Sequence, residues 1–255
     1  MTTACVRRLK QVIADDVELW LIDLDAYAEH VSLDGLSAHE HARAGRMASE
    51  KDALRCLATR HVLRHVLATA LGCSPRDLIV EPDESGKPRL ISHAALQFNL
   101  SHSGRLCVIA LSRRYSLGVD VEIIREITDA DQLTHSLFTD DERREWSTVV
   151  STRSDAAFLS CWTRKEACLK ALGVGLAMRA AEIDAGAAEC IRKVSVPLGK
   201  HRCSATVYTV AIECDAVAAV ALATPEDAAL ARQFFSDRDA CSSSVVSEIY
   251  ARPRY

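Results

Sequence analysis

The chain has 255 residues, 49% hydrophobic and 26% charged, a globular balance that excludes disorder and fits one large domain or two small ones. Its 31 Lys and Arg against 35 Asp and Glu leave a net charge of −4, which excludes a general nucleic-acid binder. The longest apolar run, Ala216 to Ala223, is far short of the ~20 residues that span a bilayer.

From the N-terminus, no apolar block follows the basic residues of Met1–Asp16, so the pattern excludes a secretory signal and the expected location is cytoplasmic. The stretch 17–25 (VELWLIDLD) predicts a strand. Ser49, with Asp52 three residues on, opens a helix that runs to about Leu71 and stops at Gly72. Turn chemistry over 82–88 precedes three apolar runs, 95–100, 106–112 and 117–124, whose short linkers suggest an antiparallel meander. Thr139–Glu142 is a second capping signal, and a helix is expected over 155–172, closed by Gly173. Three strand-like runs follow at 191–197, 204–212 and 215–223. Helix then antiparallel strands, twice, predicts an α+β fold with two similar halves. Residues 225–255 read as a helix fragment and a poorly ordered tail. The ten cysteines contain no C-x-x-C pair, so they read as reduced, mostly buried thiols rather than a zinc site.

Charged residues fall where a core is expected. On a helical wheel for 49–71, Leu54, Ala58, Val62, Val66 and Ala70 centre an apolar face, and Arg55 lies on it while Arg60 and Arg64 point to water. An arginine there is either in an internal salt bridge, or snorkelling, or a wall of an anion pocket. Arg43 and Arg46, just upstream, would extend such a pocket or are ordinary surface residues. In the later helix, Lys165 falls on the face of Phe158, Trp162, Leu169 and Leu172, with Glu166 at its edge and Lys170 beyond. Glu166 and Lys170 are i,i+4, either a surface ion pair or part of a site.

The run 117–122 (LGVDVE) alternates strictly, so Asp120 and Glu122 share one strand face about 7 Å apart. Two carboxylates that close repel unless a cation intervenes, and hard oxygen ligands suit Mg²⁺; an exposed acidic strand face is the alternative. His102 sits between Ser101 and Ser103 at a strand end, where hydroxyls, backbone N–H and imidazole would converge on a phosphate, unless the histidine is merely structural.

GKP at 86–88, FNLSHSG at 98–104, GVDVE at 118–122, FTDDE at 138–142 and WTRKEACLKALG at 162–173 occur in this order. Together they resemble the 4′-phosphopantetheinyl transferases of the large, monomeric, two-lobed type that serve peptide and polyketide synthases in secondary metabolite biosynthesis. The resemblance covers about residues 40–225. It implies two pseudo-symmetric lobes related by a pseudo-two-fold, each a helix on a small antiparallel sheet, with lobes expected at 1–116 and 117–225; the expected tail at 226–255 lies outside the resemblance. It implies coenzyme A bound between the lobes with Mg²⁺ on its pyrophosphate. A serine of an apo acyl or peptidyl carrier protein attacks the phosphate bearing the pantetheine arm, and adenosine 3′,5′-bisphosphate leaves.

By motif position, the resemblance implies that Asp120, Glu122 and Glu166 bind the metal. Glu166 would also be the base for the carrier serine, and Lys170 would stabilise phosphate charge. Lys165, His102 and Ser101 would contact phosphate, Arg55 the 3′-phosphate and Lys87 the nucleotide side. Arg43 and Arg46 lie in the family's basic stretch before the first long helix. Glu142 matches the acidic residue of F-x-x-x-E and joins the candidate catalytic group, although it also completes a capping box with Thr139. Met47 stands where the family often has an aromatic residue. A Mg²⁺-dependent nucleotide phosphohydrolase would share the carboxylates without needing a carrier; a coenzyme A-binding module without turnover would not need Glu166 and Lys170.

Overall fold

The computed structural model describes residues 4–82, 88–93, 95–175, 180–187 and 191–236. Lys87 and the 241–244 stretch lie outside the described residues, as does most of the expected 82–88 turn.

The first lobe opens with β1 (Val6–Arg8) and β2 (Glu18–Asp23), paired antiparallel. Asp23 ends β2 by accepting from the N–H groups of Asp25 and Ala26, which starts the short helix α1 (Leu24–Tyr27). A reciprocal Ser37–Glu40 capping box starts α2 (Ala38–Ala44). The expected long helix is α3 (Glu50–Leu71): the Ser49 hydroxyl accepts from the Asp52 N–H, and Gly72, at φ 68°, supplies the left-handed stop. A short ribbon, β3 (Val80–Pro82) and β4 (Pro88–Leu90), leads to the hairpin of β5 (Gln97–Ser103) and β6 (Leu106–Ser112).

The third strand of the expected meander goes elsewhere. β7 (Ser116–Ile123) does not pair with β6, because β2 already occupies that edge, and the sheet order is β1-β2-β6-β5. Asp16 fixes the departure, accepting from the Ser112 hydroxyl and from the N–H groups of Arg113 and Arg114 at 2.5–2.8 Å.

The second lobe adds α4 (Ala130–Leu137), α5 (Asp140–Leu172), β8 (Arg192–Leu198), β9 (His201–Val210), β10 (Ala216–Ala223) and α6 (Pro225–Ser236). Its sheet order is β7-β10-β9-β8. In both lobes the opening long strand pairs with the closing strand, which pairs in turn with its hairpin mate: β2-β6-β5 and β7-β10-β9. The Thr139–Glu142 capping box is the true start of α5, so this helix is continuous over 33 residues and begins well before the expected residue 155. α6 is the helix fragment expected at the start of 225–255, and it buries Ala228 and Ala231 fully.

The sheets meet through Leu19 and Leu21 of β2, Val108 and Ala110 of β6, Val119 and Val121 of β7, and Val220 of β10. α3 covers the other face of the first sheet, setting Ala58, Val62 and Val66 against Ile22 and Ile109. α5 covers the second, setting Ala167 and Cys168 against Val207 and Ala219. Gly118 lets α5 approach β7: a Cβ there would sit 1.9 Å from the Ala167 carbonyl oxygen and 2.4 Å from the Ala171 nitrogen. Against the wheel, Leu54 is 52% exposed and Arg64 is buried, donating to the Leu78 carbonyl and pairing with Glu40 at 3.2 Å. The described cysteines are unbridged; burial pushes the Cys107 thiol up to about 12, so it serves as a small apolar group. Among the described residues no helix is long and apolar enough to cross a membrane.

Candidate functional site

β5 and β7 are edge strands of their respective sheets and lie side by side. Alternation along β5 turns Asn99, Ser101 and Ser103 towards β7, and all three are buried. Asn99 Oδ1 accepts from the Val119 N–H at 2.8 Å. Ser101 donates to Asp120 Oδ1 at 2.7 Å, and Ser103 donates to Glu122 Oε2 at 2.8 Å. The rungs advance in the same sense on both strands, so β5 and β7 run parallel and are stitched by side chains. The two carboxylates are each 3% exposed. Buried carboxylates require partners, and the serines supply only part of the need.

Cations supply the rest. Lys170 reaches from α5 across Gly118 and places Nζ 2.7 Å from Asp120 Oδ1, 3.2 Å from the Val119 carbonyl and 3.3 Å from the Ser101 hydroxyl. Arg125, two residues past the end of β7, pairs with Glu122 Oε2 at 2.9 Å. Asp120 Oδ2 is buried and has no hydrogen-bond partner among the described residues. Glu166, 6% exposed, lies one turn before Lys170 on α5. Among the described residues no three His, Cys, Asp or Glu side chains converge closely enough to hold a metal ion. Hard carboxylate oxygens, one of them buried and unpartnered, nevertheless fit the donor set a small divalent cation takes.

Other expected site residues fall elsewhere. His102 does not converge with its serine neighbours, because it points to the opposite face of β5 and is exposed. Lys165 is fully buried, 2.6 Å from Glu142 Oε2, and donates to the carbonyls of Ala180 and Ile183. Its amine is thus surrounded by protein oxygens rather than open to a phosphate. Glu142 is also fully buried and, besides Lys165, accepts from the N–H groups of Thr139, Ala185 and Gly186. Glu142 and Lys165 therefore bind the 180–186 segment to α5, away from solvent.

Arg55 makes the internal ion pair that was one of its three readings, bidentate to Asp25 at 2.6 and 2.8 Å. That guanidinium, followed by Lys51, holds the Asp25 carboxyl below the usual carboxylate range. Arg43 and Arg46 are exposed. Sequence reasoning missed the carboxylate clamps. Ser103 was signalled by its alternation with Ser101 on β5, whereas Arg125 lies beyond the strand pattern and carried no signal.

The profile described as the 4′-phosphopantetheinyl transferase superfamily matches residues 116–211, and that described as 4′-phosphopantetheinyl transferase, N-terminal, matches residues 26–114. The chain is 33% identical over 171 residues to the 4′-phosphopantetheinyl transferase HetI of Nostoc sp. (strain PCC 7120), covering 65% of this chain and 72% of HetI. The chain belongs to the 4′-phosphopantetheinyl transferase superfamily. It is also 34% identical to the putative 4′-phosphopantetheinyl transferase slr0495 of Synechocystis, over 55% of this chain and 58% of that protein. To the L-aminoadipate-semialdehyde dehydrogenase-phosphopantetheinyl transferase of Schizosaccharomyces pombe it is 27% identical, over 67% and 70% of the two chains. The two profiles divide the chain between β6 and β7, and as a transferase of the two-domain type it carries its carboxylates on the first strand of the second lobe.

Proposed function

We propose that this enzyme transfers 4′-phosphopantetheine from coenzyme A to a serine of an apo acyl or peptidyl carrier protein, with release of adenosine 3′,5′-bisphosphate. The observation that supports it most is the ion pair of Lys170 with Asp120, beside Glu122 on the same strand face, where β5, β7 and α5 meet. Phosphoryl-type transfer requires positioning and charge neutralisation more than covalent help, and carboxylates facing a lysine provide both.

Asp120, Glu122 and Glu166 would hold Mg²⁺, which supplies charge neutralisation at the phosphates when bound. Glu166 takes the proton of the carrier serine, a poor nucleophile at neutral pH without a base. Lys170 neutralises charge on the transferred phosphate. Ser101 and Ser103 orient the carboxylates, so their role is positioning. His102, Arg46 and Lys87 remain our proposed contacts to coenzyme A; Glu142 and Lys165, being buried against each other, act by holding α5 and the 180–186 segment in place. The enzyme works as a cytoplasmic monomer.

A basic edge to receive an acidic carrier also has a counterpart. Arg7, Arg8 and Lys10 line a groove of about 860 Å³ that includes Val217, the ladder partner of Glu122; Arg7 pairs with Glu213 at 2.7 Å and Arg8 with Glu18 at 3.3 Å, so the excess charge offered to a carrier is that of Lys10. The test is to follow release of adenosine 3′,5′-bisphosphate from coenzyme A and Mg²⁺ with and without an apo carrier. Carrier-dependent release is expected; equal release without carrier identifies a hydrolase and ends the proposal.

Arg55 gives a second, sharper test. If its guanidinium reads the 3′-phosphate beside the Asp25 pair, Arg55→Ala weakens coenzyme A by about 1.5–3 kcal/mol, the worth of a charge-assisted hydrogen bond. Binding of 3′-dephospho-coenzyme A changes little. Equal losses for the two donors, measured by calorimetry, confine Arg55 to its ion pair with Asp25.

A further inference from the structure

Both strand carboxylates already hold a cation from the chain itself. Lys170 sits on Asp120 Oδ1 at 2.7 Å and Arg125 sits on Glu122 Oε2 at 2.9 Å. The two partners differ in how freely they can leave. Arg125 is 42% exposed and can swing into water, whereas Lys170 is 27% exposed and is also held by the Val119 carbonyl and the Ser101 hydroxyl. Asp120 Oδ2 is open while Lys170 holds Oδ1, so a divalent cation arriving on Oδ2 comes within a few ångströms of the ammonium, and in a site this enclosed the two repel.

We propose that Lys170 is the resident counter-cation of Asp120, that metal binding displaces it, and that displacement frees its ammonium for the phosphate of coenzyme A. The inference rests on the metal-site reading above and gives Lys170 two sequential partners. Before loading, it neutralises a buried carboxylate that would otherwise face Glu122 uncompensated. After loading, the metal takes over that neutralisation and the ammonium is available to the incoming anion. The consequence is coupling: metal strengthens coenzyme A binding partly through Lys170, and coenzyme A strengthens metal binding by the same factor.

The coupling gives substitutions at Lys170 an unusual sign. A residue that helps transfer should hinder metal binding in the absence of coenzyme A. Lys170→Met keeps most of the stem that packs on Gly118 but removes the competing charge. Mn²⁺ binding, read by the electron spin resonance of free Mn²⁺ without coenzyme A, should tighten about tenfold, the equivalent of one charge-assisted hydrogen bond. Lys170→Arg keeps the charge and should bind Mn²⁺ about as the wild type does; circular dichroism confirms that both variants are folded. In Lys170→Met, coenzyme A should no longer enhance Mn²⁺ binding to the wild-type extent.

The outcomes separate the inference from the reading beneath it. Unchanged or weaker Mn²⁺ binding in Lys170→Met, with Asp120→Asn abolishing binding in either background, overturns the displacement and leaves the metal site standing. Mn²⁺ binding that Asp120→Asn does not alter overturns the metal site itself, and the displacement with it.

Discussion

Gly118→Ala destabilises the enzyme by at least about 3 kcal/mol, the upper end of ordinary overpacking. The reason is what the added methyl would meet: the Ala167 carbonyl oxygen at 1.9 Å, the Ala171 nitrogen at 2.4 Å and the Lys170 Cβ at 2.8 Å. The first two are backbone atoms in the last two turns of a 33-residue helix and have no rotamer to change. α5 must lift off β7, which breaks the alanine- and cysteine-rich contact with the second sheet. It also draws Lys170 away from Asp120, so residual folded protein should be weakly active. With total stabilities of typically about 5–15 kcal/mol, such a loss is a large fraction of the whole. Urea unfolding read by circular dichroism measures it; a Gly118→Ala variant with an unshifted midpoint shows that α5 does not lie against the strand as described.

Glu166→Gln lowers turnover by ~10²–10⁴-fold, the usual contribution of a general base. The amide is close in shape to the carboxylate but cannot take a proton from the carrier serine. Coenzyme A binding should persist, because the cations of the site remain. The measurement is turnover at saturating Mg²⁺, coenzyme A and carrier, alongside a metal titration. Full recovery at high metal reduces Glu166 to a ligand and leaves the proton to another acceptor.

The caps of the long helices could be read from local chemistry, although joining Thr139 to the helix expected at 155–172 could not. Ser49, Gly72, Thr139 and Gly173 act where capping preferences put them, and the strict alternation of 117–122 correctly turned Asp120 and Glu122 to one side of β7. The wheels misled for a physical reason. α3 is covered on two sides, by the first sheet and by the α2 and 78–80 segments, so Arg64 is buried against Glu40 and the Leu78 carbonyl while Leu54 faces water. A helix enclosed this way has no single apolar stripe to find. The same holds for α5, where Lys165 reads as a phosphate contact from its motif position but is enclosed by Glu142 and two carbonyls.

What joins the halves was not legible. The jump of β7 out of the first sheet depends on β2 reaching β6 first, a pairing between residues some ninety positions apart. The clamps on the carboxylates depend in turn on that jump, because Ser101 and Ser103 meet Asp120 and Glu122 only once β5 and β7 lie side by side. Gly118 did carry a local signal, since glycine within a strand commonly marks a close backbone approach.

Transfer is decided by the covalent change in the acceptor. Incubate an apo acyl or peptidyl carrier protein, already shown to be a competent acceptor, with the enzyme, coenzyme A and Mg²⁺, and record its intact mass. The proposed transfer makes the carrier heavier by one phosphopantetheine group, with no gain when the acceptor serine is replaced by alanine. A carrier of unchanged mass under these conditions would contradict it.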